Sequence, residues 1–147
     1  LVKTELHKDE SVSFNPNDIN FHHVLKMLML EEGVEDALVN VIITNDSKLN
    51  GLKIKYFSEN VFTDVIAFNY NESNENLVGD IFISLDRVEE NSLKYSDSLD
   101  SELMRVLIHG ALHLIGYEDN DKEKKKIMTN KENYYLKLFE KFKLCNG

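Results

Sequence analysis

Two histidines, His109 and His113, stand four residues apart inside the apolar run Leu103 to Ile115. On a helix that spacing puts both imidazoles on one face, one turn apart. There they can reach a common ion through nitrogen–metal bonds of about 2.0–2.1 Å. Gly116 follows, a residue that ends helices because it takes up the left-handed backbone without steric penalty. The chain can then turn back, and Asp119 is placed to bring a carboxylate as third ligand. Two histidines and one carboxylate leave a fourth coordination position open. That is the pattern of a catalytic zinc site, since structural sites close all four positions with protein ligands. The competing reading is a pair of hydrogen-bonded core histidines, because H-x-x-x-H is a common spacing. The Gly stop and the acid behind it favour ligation. In the peptidase motif H-E-x-x-H a Glu follows the first histidine as general base; here that position is Gly110, which disfavours a peptidase. No P-C-x-x-C follows, so the zinc deaminase pattern is absent.

Such a site needs a helix over residues 99 to 115, for which Asp97 to Asp100 form a polar cap region. Around it the sequence predicts further elements. Residues 1 to 14 alternate weakly, as an edge strand or a hairpin. Asn17 or Asp18 caps a helix to about residue 33, with Ile19, Phe21, Val24, Leu25, Leu28 and Met29 inward and Gly33 as its stop. Ala37 to Thr44 is short and β-branched, a buried strand. Asn45-Asp46-Ser47 opens a helix to residue 57, weakened by Gly51. Thr63 to Tyr70 and Leu77 to Ser84 read as an antiparallel hairpin across the polar loop Asn71 to Asn76. Asp86 begins a short helix. A last helix over residues 120 to 143 is expected to bury Ile127, Met128, Tyr134, Leu138 and Phe142. The alternation predicts an α/β fold in layers, with one small mixed sheet of about four strands packed with about five helices. The metal-bearing helix lies near the C-terminal third.

The chain has 147 residues. That length predicts one domain, residues 1 to 147, with room for a hydrophobic core. A single cysteine, Cys145, forbids an internal disulfide and points to a reducing compartment. No stretch approaches the roughly 20 apolar residues of a membrane span. A cytoplasmic protein without a membrane partner or a nucleotide cofactor is expected. The formal net charge of −9 argues against strong generic RNA binding. The charge is uneven, however. Acids outnumber Lys and Arg by more than two to one up to residue 120, whereas lysines outnumber acids two to one from residue 121 on. A basic C-terminal segment on an acidic body offers either a phosphate-binding face or an ordinary solvated helix exterior.

The stretch H-G-A-L-H-L-I-G-Y, His109 to Tyr117, resembles the signature of the YbeY-type endoribonucleases, the rRNA maturation factors. Thr63 to Phe68, Gly79 to Ser84 and Glu102-Leu103 are similar to further segments of that family in order and spacing, so the resemblance covers about residues 38 to 138. It implies an α/β fold and a zinc ion held by His109, His113 and the residue at position 119. It also implies hydrolysis of single-stranded RNA in maturation of the small-subunit rRNA 3′ end and in ribosome quality control. The small ribosomal subunit or its proteins would then be partners. Two positions depart from the pattern. The third ligand is usually a histidine, where this chain has Asp119, preceded by Glu118. A carboxylate still ligates zinc. The family also carries an Arg six residues before the Thr that matches Thr63; here that position is Phe57, with Lys53 and Lys55 the nearest upstream cations. Lys does not replace bidentate phosphate contact like for like.

Other residues compete for roles. Asp64 and Asp80 each interrupt an apolar strand, as a cap, a turn, a bond to a ligand histidine, or a group in the groove. Thr63 and Asp64 are expected on the cleft floor. Tyr117 either stacks on a base or packs, and Glu118 is adjacent to the site but faces solvent in one reading. Two rival functions remain: a ribosome-assembly binding protein with a structural metal and no catalysis, and a metal hydrolase of another bond.

Overall fold

A computed structural model of the chain describes residues 1–71 and 76–146. The β-branched run Ala37–Thr44 forms β2, an interior strand whose Val39, Val41 and Ile43 are fully buried on one side. Val2–Lys8 (β1) lies parallel to it along one edge, and Leu77–Ser84 (β4) lies parallel to it on the other side. Val65–Asn69 (β3) closes the sheet antiparallel to β4, giving the order β1-β2-β4-β3. The sheet is therefore mixed, as expected. The N-terminal segment is an edge strand rather than a hairpin, although Val12 and Phe14 beyond it are buried. Of the expected loop over residues 71 to 76, residues 72–75 lie outside the described residues.

Among the described residues five helices cover this sheet. They are α1 (Asp18–Glu31), α2 (Asp46–Phe57), α3 (Leu85–Lys94), α4 (Leu99–Ile115) and α5 (Lys122–Leu138). Asn17, Asn45, Ser84, Ser98 and Asp121 each accept a backbone N–H at the helix they open. Such caps satisfy amides that have no partner within the helix. α1 buries Phe21, Val24, Leu25, Leu28 and Met29 as predicted, but Ile19 in its first turn is 67% exposed. Gly33 has φ +85°, which lets the chain leave α1 for β2. Among the described residues no helix is long and apolar enough to cross a membrane.

α5 departs from expectation in length and in phase. It stops at Leu138 because the following segment turns back. The amides of Leu144 and Cys145 donate to Asp100 Oδ1 at 2.8 and 3.0 Å, and Cys145 bridges to Pro16. Met128 is buried as expected, but the face continues through Glu132, Tyr135 and Phe139, while Ile127, Tyr134 and Leu138 face solvent. The helix is thus turned by one residue, about 100°, from the predicted face. Phe142, beyond the helix, is half-buried against the core as a tail residue.

α4 sits directly on β3 and β4. A Cβ at Gly110 would approach Ile81 Cγ2 to 2.8 Å and Val65 Cγ2 to 2.9 Å. The residue after the first histidine therefore points into the sheet, which is the local reason that it is glycine. At Gly79 a Cβ would meet Leu114 Cδ1 at 2.4 Å and the Phe68 carbonyl at 2.7 Å. The second of these is backbone and yields only if the β3–β4 pairing shifts. Gly79→Ala is accordingly expected to destabilise by about 1–3 kcal/mol, the usual scale of overpacking. Urea unfolding would measure it, and an unchanged midpoint would contradict this packing.

Candidate metal centre

His109 and His113 lie in the last two turns of α4, and Gly116 at φ +118° ends the helix so that Asp119 swings back over them. His109 Nε2 and His113 Nε2 are 2.9 Å apart, and Asp119 Oδ2 is 3.4 and 3.6 Å from them. Around a tetrahedral zinc with bonds of about 2.0–2.1 Å, neighbouring ligand atoms lie ~3.3 Å apart. The three atoms fit a common ion.

The other ring nitrogens explain why these atoms converge. His113 Nδ1 is 2.9 Å from the Tyr117 carbonyl, which only accepts, so Nδ1 carries the proton and donates. His109 Nδ1 donates to Glu132 Oε2 at 2.7 Å. Both Nε2 atoms are then turned toward the same point, with the lone pair of His113 free to bind a cation. Outer partners of this kind fix the tautomer and aim of metal-binding histidines. Glu132 is the functional residue that sequence reasoning missed. It lies in a lysine-rich helix, but four residues after Met128 and three before Tyr135, on the buried stripe.

Electrostatics follow from burial and neighbours. Burial is the strongest influence on His109 and opposes its charge. The hydrogen bond and charge of Glu132, with Asp119 and Asp64, outweigh it and hold the pKa above the usual histidine value. Burial and the neighbouring charge of His109 push His113 down, toward the neutral ligand form. Burial also lifts the Asp64 and Glu102 carboxyls above the usual range. Arg105 sits among these acids, 3.8 Å from Glu102 and 3.6 Å from Glu132.

The remaining predicted residues divide. Thr63 and Asp64 precede β3 rather than opening it. The Thr63 hydroxyl contacts the Val65 carbonyl at 3.4 Å, and the Asp64 carbonyl accepts the Ser84 amide. The Asp64 carboxylate is desolvated and acts electrostatically on His109. Glu118 is exposed and pairs with Lys124 at 2.9 Å. Asp80 is not brought to the centre. Ile81 beside it faces Gly110, so Asp80 lies on the other face of the sheet, bonded to Asn40 and Tyr70 at 3.0 and 2.8 Å. A strand period of two placed it there.

Tyr117 packs rather than standing free. Its hydroxyl donates to Glu32 at 2.6 Å, and the Lys131 ammonium lies 5.6 Å from its ring. The buried Glu32 carboxylate also accepts from Tyr135 and pairs with Lys131 at 3.0 Å. Of the basic segment, Lys124 and Lys131 are thus engaged by acids.

Two predictions arise here. Glu132→Ala should weaken zinc binding about 10–100-fold, and Glu132→Gln less, since the amide oxygen still accepts. Competition with a chelating dye would show this, and unchanged affinity would remove Glu132 from the centre. Burial pushes the Glu32 carboxyl up, but the Tyr117 and Tyr135 hydroxyls and Lys131 outweigh it, so its folded pKa is depressed. Its stabilisation is full above the ordinary Glu value of about 4.3 and is lost as pH falls through the lower folded value. Glu32→Gln should flatten that acid limb of the stability–pH curve; an unaltered limb in urea titrations would refute the assignment.

The chain is similar to known proteins along most of its length. The family described as Endoribonuclease YbeY matches residues 4–140. An Endoribonuclease YbeY of Karelsulcia muelleri is 45% identical over 129 residues, covering 88% of this chain and 91% of that protein. One of Flavobacterium johnsoniae is 34% identical over 123 residues, covering 84% and 88%. A solution structure of a Thermotoga maritima protein shares the fold, with TM-score 0.60 and 24% identity over 95% of this chain and 89% of the other. The signature around His109 thus belongs to a match spanning nearly the whole chain, and the chain is a member of the Endoribonuclease YbeY family.

Proposed function

We propose that this protein is a zinc-dependent endoribonuclease that hydrolyses single-stranded RNA, acting in the cytoplasm on the 3′ end of small-subunit rRNA and in ribosome quality control. Its partners would be the small ribosomal subunit or its proteins, with no membrane and no nucleotide cofactor involved. The observation that carries the reading is the convergence of two imidazoles and one carboxylate in an open cleft. Each imidazole is tied back through its Nδ1. Relatives named as endoribonucleases support the class of reaction.

His109, His113 and Asp119 would hold the ion. Zinc, when bound, supplies a Lewis acid for a phosphoryl oxygen and an acidified water as nucleophile. The chain supplies the rest. Glu132 and the Tyr117 carbonyl fix the two rings, so no reorganisation is needed as charge develops on the phosphate. The cleft, about 410 Å³, opens beside His113 and Asp119 and has Lys53 on its wall. That ammonium offsets the acidity of the body where an RNA backbone would enter.

The test is cleavage of a labelled single-stranded RNA by the zinc-loaded chain. Single strands should be cut and a duplex of the same sequence spared. Chelation should stop the reaction and zinc should restore it, and His113→Ala should fall to the buffer background. In cells, depletion should leave small-subunit rRNA extended at its 3′ end. Cleavage by His113→Ala at the wild-type rate would contradict the proposal.

A further inference from the structure

The cleft beside the metal ligands does not end there. It runs past the edge strand β3, at Val65 to Ala67, to Lys53 and Phe57 in the last turns of α2. The Phe57 ring is inclined 25° to that of Phe68 with centroids 6.1 Å apart, and Phe68 is inclined 14° to Tyr70 at 6.4 Å. Tyr56 meets Phe68 edge-on at 5.3 Å. Ala67 pairs with Ile81, which faces α4, so Phe68 and Tyr70 point to the opposite side of the sheet. A row of near-parallel rings thus leads from the rim of the metal cleft over the free edge of β3 onto the outer face.

Three properties of this row point to one ligand. Tyr56, Phe57 and Tyr70 are 57%, 44% and 62% exposed, so the row stands at the protein surface within reach of a partner. The Lys53 ammonium lies 4.7 Å from the Phe57 ring centre and the Lys55 ammonium 5.2 Å from that of Tyr56. The contact of Lys53 with Glu59, at 4.0 Å, is at the limit of an ion pair and leaves donors free. These ammonium groups lie over exposed rings, and an arriving nucleotide can replace each one on its ring with a base and take it up as a partner for the phosphate. The body is also acidic, with net charge −9, so phosphate contacts alone bind RNA weakly. Stacking does not depend on charge, and only unpaired bases present their faces to it.

We propose that Phe57, Phe68 and Tyr70 form a base-stacking platform for unpaired nucleotides of an RNA whose backbone enters the metal cleft, with Lys53 contacting a phosphate. This inference rests on the endoribonuclease reading. It assigns single-strand preference to the rings and not to the metal centre.

The test uses the zinc-loaded full chain cleaving a labelled RNA against two unlabelled competitors. One is a short single-stranded oligoribonucleotide, the other the same oligomer with abasic residues, which keeps every phosphate. The intact oligomer should compete on the order of tenfold better, the scale of one stacked base. Phe57→Leu and Tyr70→Leu should each bring the ratio toward equality, while Phe57→Tyr, which keeps a ring, should hold it. Lys53→Met should weaken both competitors alike. Misfolding of a leucine variant would show as lost cleavage, and the wild-type ratio and Phe57→Tyr would still decide. Equal competition by the abasic oligomer against wild type overturns the platform alone, as does an unchanged ratio in Phe57→Leu, and either result leaves the rings to a protein partner. A wild-type chain that cleaves no RNA overturns the endoribonuclease reading itself.

Discussion

The orientation of two imidazoles is the constraint on which the rest of this structure depends. Each ring is held by its Nδ1, which leaves the two Nε2 atoms converging with the Asp119 carboxylate. Glu132 comes from a different helix, so α5 must dock on α4 before His109 is aimed. The Tyr117 carbonyl comes from the turn after Gly116, whose positive φ brings the chain under His113 and then carries Asp119 back. Below them, Gly110 and Gly79 let α4 settle on the sheet without an intervening Cβ. Packing of the core and geometry of the site are therefore one problem. A helix held farther from the sheet would carry the histidine pair away from Asp119.

The centre is also an electrostatic arrangement. Glu132, Asp119 and Asp64 face His109 with acidic groups, and Arg105 answers Glu132 and the neighbouring Glu102. Burial alone would discharge His109, and the carboxylates reverse that outcome. A divalent cation is the species such a cluster favours, since it satisfies several carboxylates at once where a single proton satisfies one. On the far side of Tyr117, Glu32 gathers two tyrosine hydroxyls and a lysine and ties α1 to the turn beside the ligands. The turn that orients His113 is thus anchored at both its backbone and its side chain.

Much of this was legible in the residues. The helix starts could be read because Asn17, Asn45 and Ser98 are cap residues, and the meeting of His109, His113 and Asp119 because a four-residue spacing, a helix-ending glycine and an acid follow one another. The inward face of α5 was not legible. Tyr134 and Tyr135 are adjacent, and so are Ile127 and Met128, which leaves two apolar stripes one residue apart; only docking on α4 chooses between them. Glu132 was hidden for the same reason, because an acid among lysines reads as solvated until its stripe is known to be buried. Asp80 had the opposite history. The strand alternation with Gly79 and Ile81 already turned it away from α4, and the chemical appeal of an acid in an apolar strand obscured that. The order of strands depended on long-range parallel pairing, for which no local signal exists.

The metal content of the purified full chain is the measurement that tests the central claim most directly. Native mass spectrometry after equilibration with zinc should find a single tightly held ion per chain, lost when either His113 or Asp119 is replaced by alanine. A chain that stays free of zinc, or one that keeps the ion after both substitutions, would contradict the account.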